Sequence, residues 1–348
     1  MASAATIKDI ARLCGVGVST VSRALNNHPD INPETKKRIL QVIAETGFVP
    51  NNSAINLKKT DTRSIALLVK GISNPFFAGM LRRIEDVVEQ RQYAVTLRHV
   101  EAEEDEAAVA LRLVRARKLR GIIFLGGNFT HDESVLRQLK VPFVFTTIGT
   151  GGARGQQKPW YSNISVDDRA EAKKAVDYLL SLGHRRIAVI TEGVTSLSVG
   201  QLRFEGYRDA LQEAGIAYDE TLVAEVTEGV ERYTIRNGYY AAKALLARRM
   251  PFTALFCGAD VFAIGACRAF AEAGRRVPED ISVVGFDGIE LGEYYNPPLT
   301  TVAQPVGEMA EAAAQLLLDV IDKKRAHENV ILPAALLVRE STKEAADV

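Results

Sequence analysis

From Arg63 onward the chain runs twice through one alternation, a short β-rich apolar run followed by a longer stretch with helical periodicity. Ser64–Val69, Tyr93–Leu97, Gly121–Leu125 and Val141–Thr146 read as strands, with helical stretches at Phe77–Gln92 and Glu104–Lys118 between them. The pattern returns with strands at Arg186–Ile190, Leu222–Val226, Thr253–Cys257 and Ile281–Gly285, and with helices at Gln201–Ala214, Thr234–Arg249 and Val261–Ala273. Strands that take turns with helices pair in parallel, because each helix carries the chain back to the starting edge of the sheet. The expectation is an α/β body of two doubly wound parallel-sheet subdomains. Ligands in such folds bind beyond the carboxyl ends of the strands, and that is where polar and aromatic residues gather here.

The first sixty residues are of another kind. Thr6 and Asp9 fit a capping box that opens a short helix carrying Ile7, Ile10 and Ala11 on one face. Cys14-Gly15-Val16-Gly17 breaks it, and a second short helix is expected over Val18–Leu25 with Val21, Ala24 and Leu25 inward. Asn32-Pro33-Glu34 opens a third, whose stripe of Ile39, Val42 and Ile43 closes at Gly47. Three details select a helix-turn-helix over a plain three-helix bundle. Ala11 is small where two helices must cross closely, Gly15 sits where a tight turn needs positive φ, and Val21 closes the small core between them. The net charge is zero overall, yet residues 1–60 hold eight basic side chains against four acidic ones. A basic head on an acidic body points to a polyanionic partner for the head.

Other classes are disfavoured. No apolar run exceeds six residues, whereas a bilayer span needs about 20. The start, MASAATIKDI, lacks a basic-then-apolar signal pattern, and the three cysteines, Cys14, Cys257 and Cys267, show no CxxC spacing. The expectation is a cytoplasmic chain with no membrane association, no metal and no cofactor. Gly149-Thr-Gly-Gly-Ala-Arg-Gly155 follows a strand, but Pro159 keeps what comes next from being the helix that a dinucleotide loop requires. No GxxxxGK[ST], GxSxG or HExxH occurs, and Asp167-Asp168, adjacent on one loop, do not flank a bond. No catalytic residue is assigned and no enzyme is expected.

Thr6-Ile-Lys-Asp-Ile-Ala11, Val18-Ser-Thr-Val-Ser-Arg-Ala-Leu-Asn26, Asn32-Pro-Glu-Thr-Lys-Lys-Arg38 and Gly47-Phe-Val-Pro-Asn51 together resemble the head of the lactose-repressor/galactose-repressor family. The resemblance implies that the second helix lies in the major groove of operator DNA. Val18, Ser19 and Arg23 match base-reading positions, Thr20 and Ser22 match phosphate contacts, and Thr6, Asn26 and Ala54 join the interface. An arginine fork can pair guanine O6 and N7 together, which makes Arg23 the strongest reader. Asn51–Lys58, set off by Pro50, matches the hinge helix, with Leu57 as the minor-groove wedge and Lys58 beside phosphate. The family commonly has Arg two residues before the wedge, where this chain has Ile55.

The body continues the resemblance through Gly71-Ile-Ser-Asn-Pro-Phe-Phe77, Arg203-Phe-Glu-Gly-Tyr207, Gly285-Phe-Asp-Gly288, Arg276-Val-Pro-Glu-Asp-Ile-Ser-Val283 and Leu337-Val-Arg-Glu-Ser-Thr342. It implies periplasmic-binding-protein-like subdomains around an effector cleft, homodimerisation, and Asn74, Phe76, Phe77, Thr147, Arg203, Asp260 and Asp287 as effector contacts. The implied domains are a head at 1–50, a hinge at 51–61, an N-subdomain at 62–163 and 298–325, and a C-subdomain at 164–297 and 326–348. Two departures bear on the ligand: Thr147 stands where the family often has Asp, and Ala259 where it has Asn or Ser. The purine-binding branch uses an additional Arg where this chain has Leu197. The function implied is a DNA-binding transcription regulator, a repressor, controlled by a small-molecule effector, with a sugar or sugar derivative leading. A purine-like or other non-sugar effector is the alternative, as is a two-lobed solute-binding protein.

Overall fold

The computed structural model describes residues 6–25, 30–46, 48, 63–101, 103–127, 131, 133–148, 160–194, 198–226 and 231–345. They divide into two compact units that part between Thr62 and Arg63.

The first unit holds α1 (Ile7–Leu13), α2 (Val18–Leu25) and α3 (Pro33–Thr46). The capping box at α1 is formed on both sides: Thr6 N–H donates to Asp9 Oδ2 at 3.0 Å, and Asp9 N–H donates to Thr6 Oγ1 at 3.4 Å. Asn32 Oδ1 accepts from the backbone of Glu34 and Thr35, which starts α3. Ile10, Ala11, Cys14, Val21, Ala24 and Ile39 form the buried core of the three helices. Gly15 turns the chain between α1 and α2 at φ +60°, with open space around the position a side chain would take. Arg38 reaches back from α3 to the Cys14 carbonyl at 2.5 Å.

In the second unit the chain folds through β1 (Ser64–Lys70), α4 (Phe76–Gln90), β2 (Ala94–Val100), α5 (Glu106–Ala116), β3 (Gly121–Leu125), α6 (Glu133–Leu136), β4 (Phe143–Thr146) and β5 (Ser162–Ser165). It continues through α7 (Asp168–Ser181), β6 (Ile187–Thr191), α8 (Val199–Glu213), β7 (Val223–Glu225), α9 (Ile235–Ala247), β8 (Ala254–Cys257), α10 (Asp260–Glu272) and β9 (Ser282–Asp287). The last elements are α11 (Glu290–Glu293), β10 (Thr300–Ala303), α12 (Val306–Ile321), β11 (Asn329–Ile331) and β12 (Ala335–Leu337).

Two six-stranded sheets result, in the orders β11-β5-β4-β3-β1-β2 and β12-β10-β9-β8-β6-β7. Among the described residues every pairing is parallel except that of β12 with β10, an antiparallel edge that the alternation did not foretell. The central strands are buried on both faces, as parallel sheets covered by helices require. In β1, Ile65, Leu67 and Val69 join one core while Ala66 and Leu68 join the other. In the second sheet, α7 and α8 approach so closely that a side chain at Gly206 would meet the Arg169 backbone. Tyr207 beside it is fully buried and its hydroxyl donates to the Ile187 carbonyl at 2.8 Å.

The chain crosses between sheets later than the sequence reading has it. β5 pairs with β4, so the first crossing follows Ser165; the reading put it at 163/164. β10 pairs with β9, so the return follows Ala303 and not Pro297. β11 pairs with β5, so the final crossing follows Ile331, beyond the expected Arg325. The cause is the same each time: the strand extends the sheet it leaves before the chain changes lobes.

Candidate functional site

In both sheets the chain leaves the first strand for one side and then returns to the other, which opens a crevice at the strands' carboxyl ends. The two crevices contribute to one cavity of about 460 Å³, within the range of small-molecule sites. From the first lobe, the loop after β1 brings Asn74, and the start of α4 brings Phe76 and Phe77. The two rings meet edge to face with centroids 5.4 Å apart. Thr147 follows β4 at φ +75°, and its hydroxyl accepts from Gly126 N–H at 3.2 Å.

The second lobe supplies the charged part of the lining. Arg203, on α8, is 3% exposed. Its Nε donates to Asp168 Oδ1 at 2.8 Å, and one terminal nitrogen donates to the Gly258 carbonyl at 2.6 Å and to Asp287 Oδ1 at 3.3 Å. The guanidinium lies over the Phe286 ring, 3.8 Å from its centroid. Burial works against this charge, but Asp168 and then Asp287 outweigh it and raise the arginine's pKa. Asp287 ends β9 at φ +117°, a strained conformation for a residue with a side chain and one that gathers at functional sites. Gln304 also donates to Asp287 Oδ1, at 2.9 Å. Burial pushes the Asp287 carboxyl up to about 6, against the pull of Arg203.

Of the seven expected effector contacts, Asn74, Phe76, Phe77, Thr147, Arg203 and Asp287 line this cavity. Asp260 does not. It is wholly buried and turned inward, where Thr301 Oγ1 donates to Oδ1 at 2.6 Å and the backbone N–H groups of Gly288 and Ile289 donate to Oδ2 at 2.8 Å. The neighbouring acids Asp167 and Asp168 have separate tasks. Asp167 caps α7 through Ala170 N–H, and Asp168 holds Arg203 from below.

Several lining residues escaped the sequence reading. Lys70 ends β1, and its ammonium donates to the Glu104 carbonyl at 2.8 Å and to Glu106 Oε2 at 3.1 Å. Glu192 follows β6, pairs with Arg232 and accepts from the Tyr233 hydroxyl. Tyr233 stacks on Phe262, and burial raises its pKa well above the usual value. Asp287 obeys the rule that ligands bind beyond strand ends, and the same rule points equally to Lys70 and Glu192.

In the head, α2 turns Val18, Ser19 and Arg23 to solvent, leaves Thr20 and Ser22 partly covered, and buries Val21 and Ala24. Residues 18 and 22, and 19 and 23, are one turn apart, so these side chains share one outward face, polar except for Val18. Thr6 is exposed, with its hydroxyl donating to Asp9 Oδ2 at 2.6 Å. Asn26, Ala54, Leu57 and Lys58, with the hinge at 51–61, lie outside the described residues. Among the described residues no helix is long and apolar enough to cross a membrane.

Residues 6–51 match the family described as bacterial regulatory proteins, lacI family, and residues 176–342 match a periplasmic binding protein-like domain. The HTH-type transcriptional regulator MalR of Clostridium butyricum is 40% identical over 337 residues, covering 96% of this chain and 98% of that protein. The HTH-type transcriptional repressor CytR of Escherichia coli K12 is 32% identical over 342 residues, covering 98% and 97%. Among solved structures, the lac repressor dimer bound to operator and the anti-inducer ONPF aligns with a TM-score of 0.76 at 25% identity, over 98% of this chain and 100% of that one. The complex of the transcriptional regulator CelR with cellobiose aligns at 0.68 and 30% identity, over 97% and 99%. A helix-turn-helix head, a two-lobed body and full-length likeness to these regulators converge: the chain belongs to the lacI family of bacterial regulatory proteins and is an effector-controlled, DNA-binding transcription regulator, not an enzyme.

Proposed function

We propose that this regulator binds operator DNA as a homodimer in the cytoplasm and takes a sugar or sugar derivative in the cavity between its lobes. The observation that carries the reading is the Arg203–Asp287 pair on the cavity wall opposite an aromatic face. Asp287 Oδ1 is engaged by Arg203 and Gln304, which leaves the other oxygen to accept from ligand hydroxyls. Phe76 and Phe77 offer apolar surface to the C–H face of a sugar ring, and Asn74 and Thr147 add polar groups near it. The likeness to a CelR structure that holds cellobiose supports the ligand class, and the lac repressor dimer on its operator supports the assembly.

In this reading residues 1–50 form the DNA-binding head, 51–61 the hinge, and the two sheets with their helices the effector lobes. Val18, Ser19 and Arg23 read bases, Thr6, Thr20, Ser22 and Asn26 fix the register on the backbone, Ala54 and Leu57 act in the minor groove, and Lys58 meets phosphate beside it. Closing the lobes on the effector changes the spacing of the two hinges in the dimer, and DNA affinity follows. Selection of binding sites from a random duplex pool, with and without a panel of sugars, tests this. The expected outcome is an enriched near-palindrome whose recovery changes with one sugar. An enriched site that ignores every sugar would remove the effector class, and no enrichment would remove the DNA assignment.

A further inference from the structure

We infer that the effector is an uncharged or amine-bearing polyhydroxy compound and that the cavity rejects phosphorylated and carboxylated sugars; this rests on the cavity being the effector site. Among the described residues, three permanent cations line it: Lys70, Arg203 and Arg232. Each is already held by a carboxylate. Lys70 lies 3.1 Å from Glu106, Arg203 lies 2.8 Å from Asp168 and 3.3 Å from Asp287, and Arg232 pairs with Glu192. His99 sits 3.5 Å from Glu101. Against these the lining carries Glu103, Glu192, Glu231 and Asp287, with Glu106 and Asp168 immediately behind. The described wall is therefore acidic before any ligand arrives.

A phosphate or carboxylate entering this space would have to draw a cation away from its present partner. That partner is buried in each case: Glu106 is 2% exposed, Asp168 1% and Glu192 7%. Stranding a buried carboxylate is strongly unfavourable, so an anionic group gains no net ion pair. The other source of anion binding in such folds is a helix N-terminus, and α4 and α8 both begin at the cavity. In each first turn a donor already has an internal partner: Asn74 Oδ1 accepts from Phe76 N–H, and Ser198 Oγ accepts from Gln201 N–H, each at 3.1 Å. What the wall offers in surplus is acceptors. Hydroxyl and ammonium groups are donors, and a polyhydroxy ligand matches that surplus while its C–H faces rest on Phe76 and Phe77.

The test uses the full-length protein and matched compounds: glucose, glucosamine, glucose 6-phosphate and gluconate; ribose and ribose 5-phosphate; trehalose and trehalose 6-phosphate; cellobiose and cellobionate. Binding is read by calorimetry, with thermal shift as a second readout. The expected result is that a neutral or amino member binds while its phosphorylated or carboxylated counterpart binds at least about a hundredfold more weakly. Glu192→Gln, which leaves Arg232 without its carboxylate, is expected to strengthen binding of the phosphorylated counterpart about tenfold. A phosphorylated sugar bound by the wild-type protein as tightly as the neutral one would overturn the charge selection and leave the sugar assignment standing. Silence from every member would overturn the sugar assignment and this inference with it.

Discussion

Asp260 stays out of the cavity, yet it shapes the electrical ground beneath it. Burial, and secondarily the charge of Asp287, lift its carboxyl from 3.8 to about 7, against the bonds from Thr301, Ile289 and Gly288 that favour the ion. A carboxyl raised in this way keeps in the folded state a proton that the unfolded chain releases. Its contribution to stability is full below pH 3.8 and is lost as the pH rises through about 7. Asp287, raised to about 6, acts in the same sense. His184 acts in the opposite one. It is 2% exposed, its two nitrogens contact Thr253, Ser282 and the Lys343 carbonyl, and burial lowers its pKa below 6.5. Stability from His184 is therefore present above 6.5 and lost as the pH falls through the depressed value. Asp260→Asn keeps the shape and removes the ionisation. It is expected to raise the melting temperature by about 3 °C or more at pH 8 and by less at pH 5. Equal shifts at both pH values would show that Asp260 does not titrate between them.

At the scale of elements, the turn between α1 and α2 isolates a purely conformational effect. Gly15 holds φ +60°, and an added Cβ would meet nothing within 4 Å. Gly15→Ala should cost about 1 kcal/mol through backbone strain alone, and Gly15→Asn less, because asparagine tolerates the left-handed region. Urea unfolding of the full chain followed through the head's helices checks this; an equal loss in both variants would point to crowding instead. The same turn shows what was legible in the sequence. A positive-φ position, a capping box and a three-residue apolar stripe are local signals, so the head could be drawn from residues alone. So could the apolar strands β1, β3, β6, β8 and β9. β5, with the sequence Ser-Asn-Ile-Ser, could not: it is polar and short, yet all four residues are buried. Its buried polar groups are met only by distant chain, Ser162 by His327 and Asn163 by the Ile148 carbonyl. β10, β11 and β12 are three or four residues long and likewise owe their existence to a neighbouring strand. Missing β10 hid Gln304 and placed a crossing too early. Asp260 was expected from the resemblance, and matching residues give location and not direction: its carboxylate turns toward the loop after β9.

At the scale of the whole two-lobed body, one seam between the lobes can be followed directly. Val199 opens α8 in the second lobe but packs against the first lobe's cluster of Phe124, Phe143, Phe145 and Ile148. The chain's single tryptophan, Trp160, belongs to the same cluster, with its ring edge-on to Phe143 and the Arg137 guanidinium 4.4 Å from its centroid. Effector binding that changes the angle between the lobes should alter Trp160 emission, in step with binding measured by calorimetry. A flat fluorescence titration alongside clear binding would place the movement elsewhere. The three crossings also impose an order in time. The second sheet's first five strands lie between residues 187 and 303, but the first sheet waits for α12 and β11, which end at Ile331. About 140 residues separate Ser165 from Val306, roughly 7–30 s of chain elongation at ordinary rates. A nascent chain therefore holds the first lobe open at one edge while the second is assembled, and the lining of the cavity is not complete until Gln304 has emerged. On the ribosome, the helices of the head emerge before the effector cavity exists.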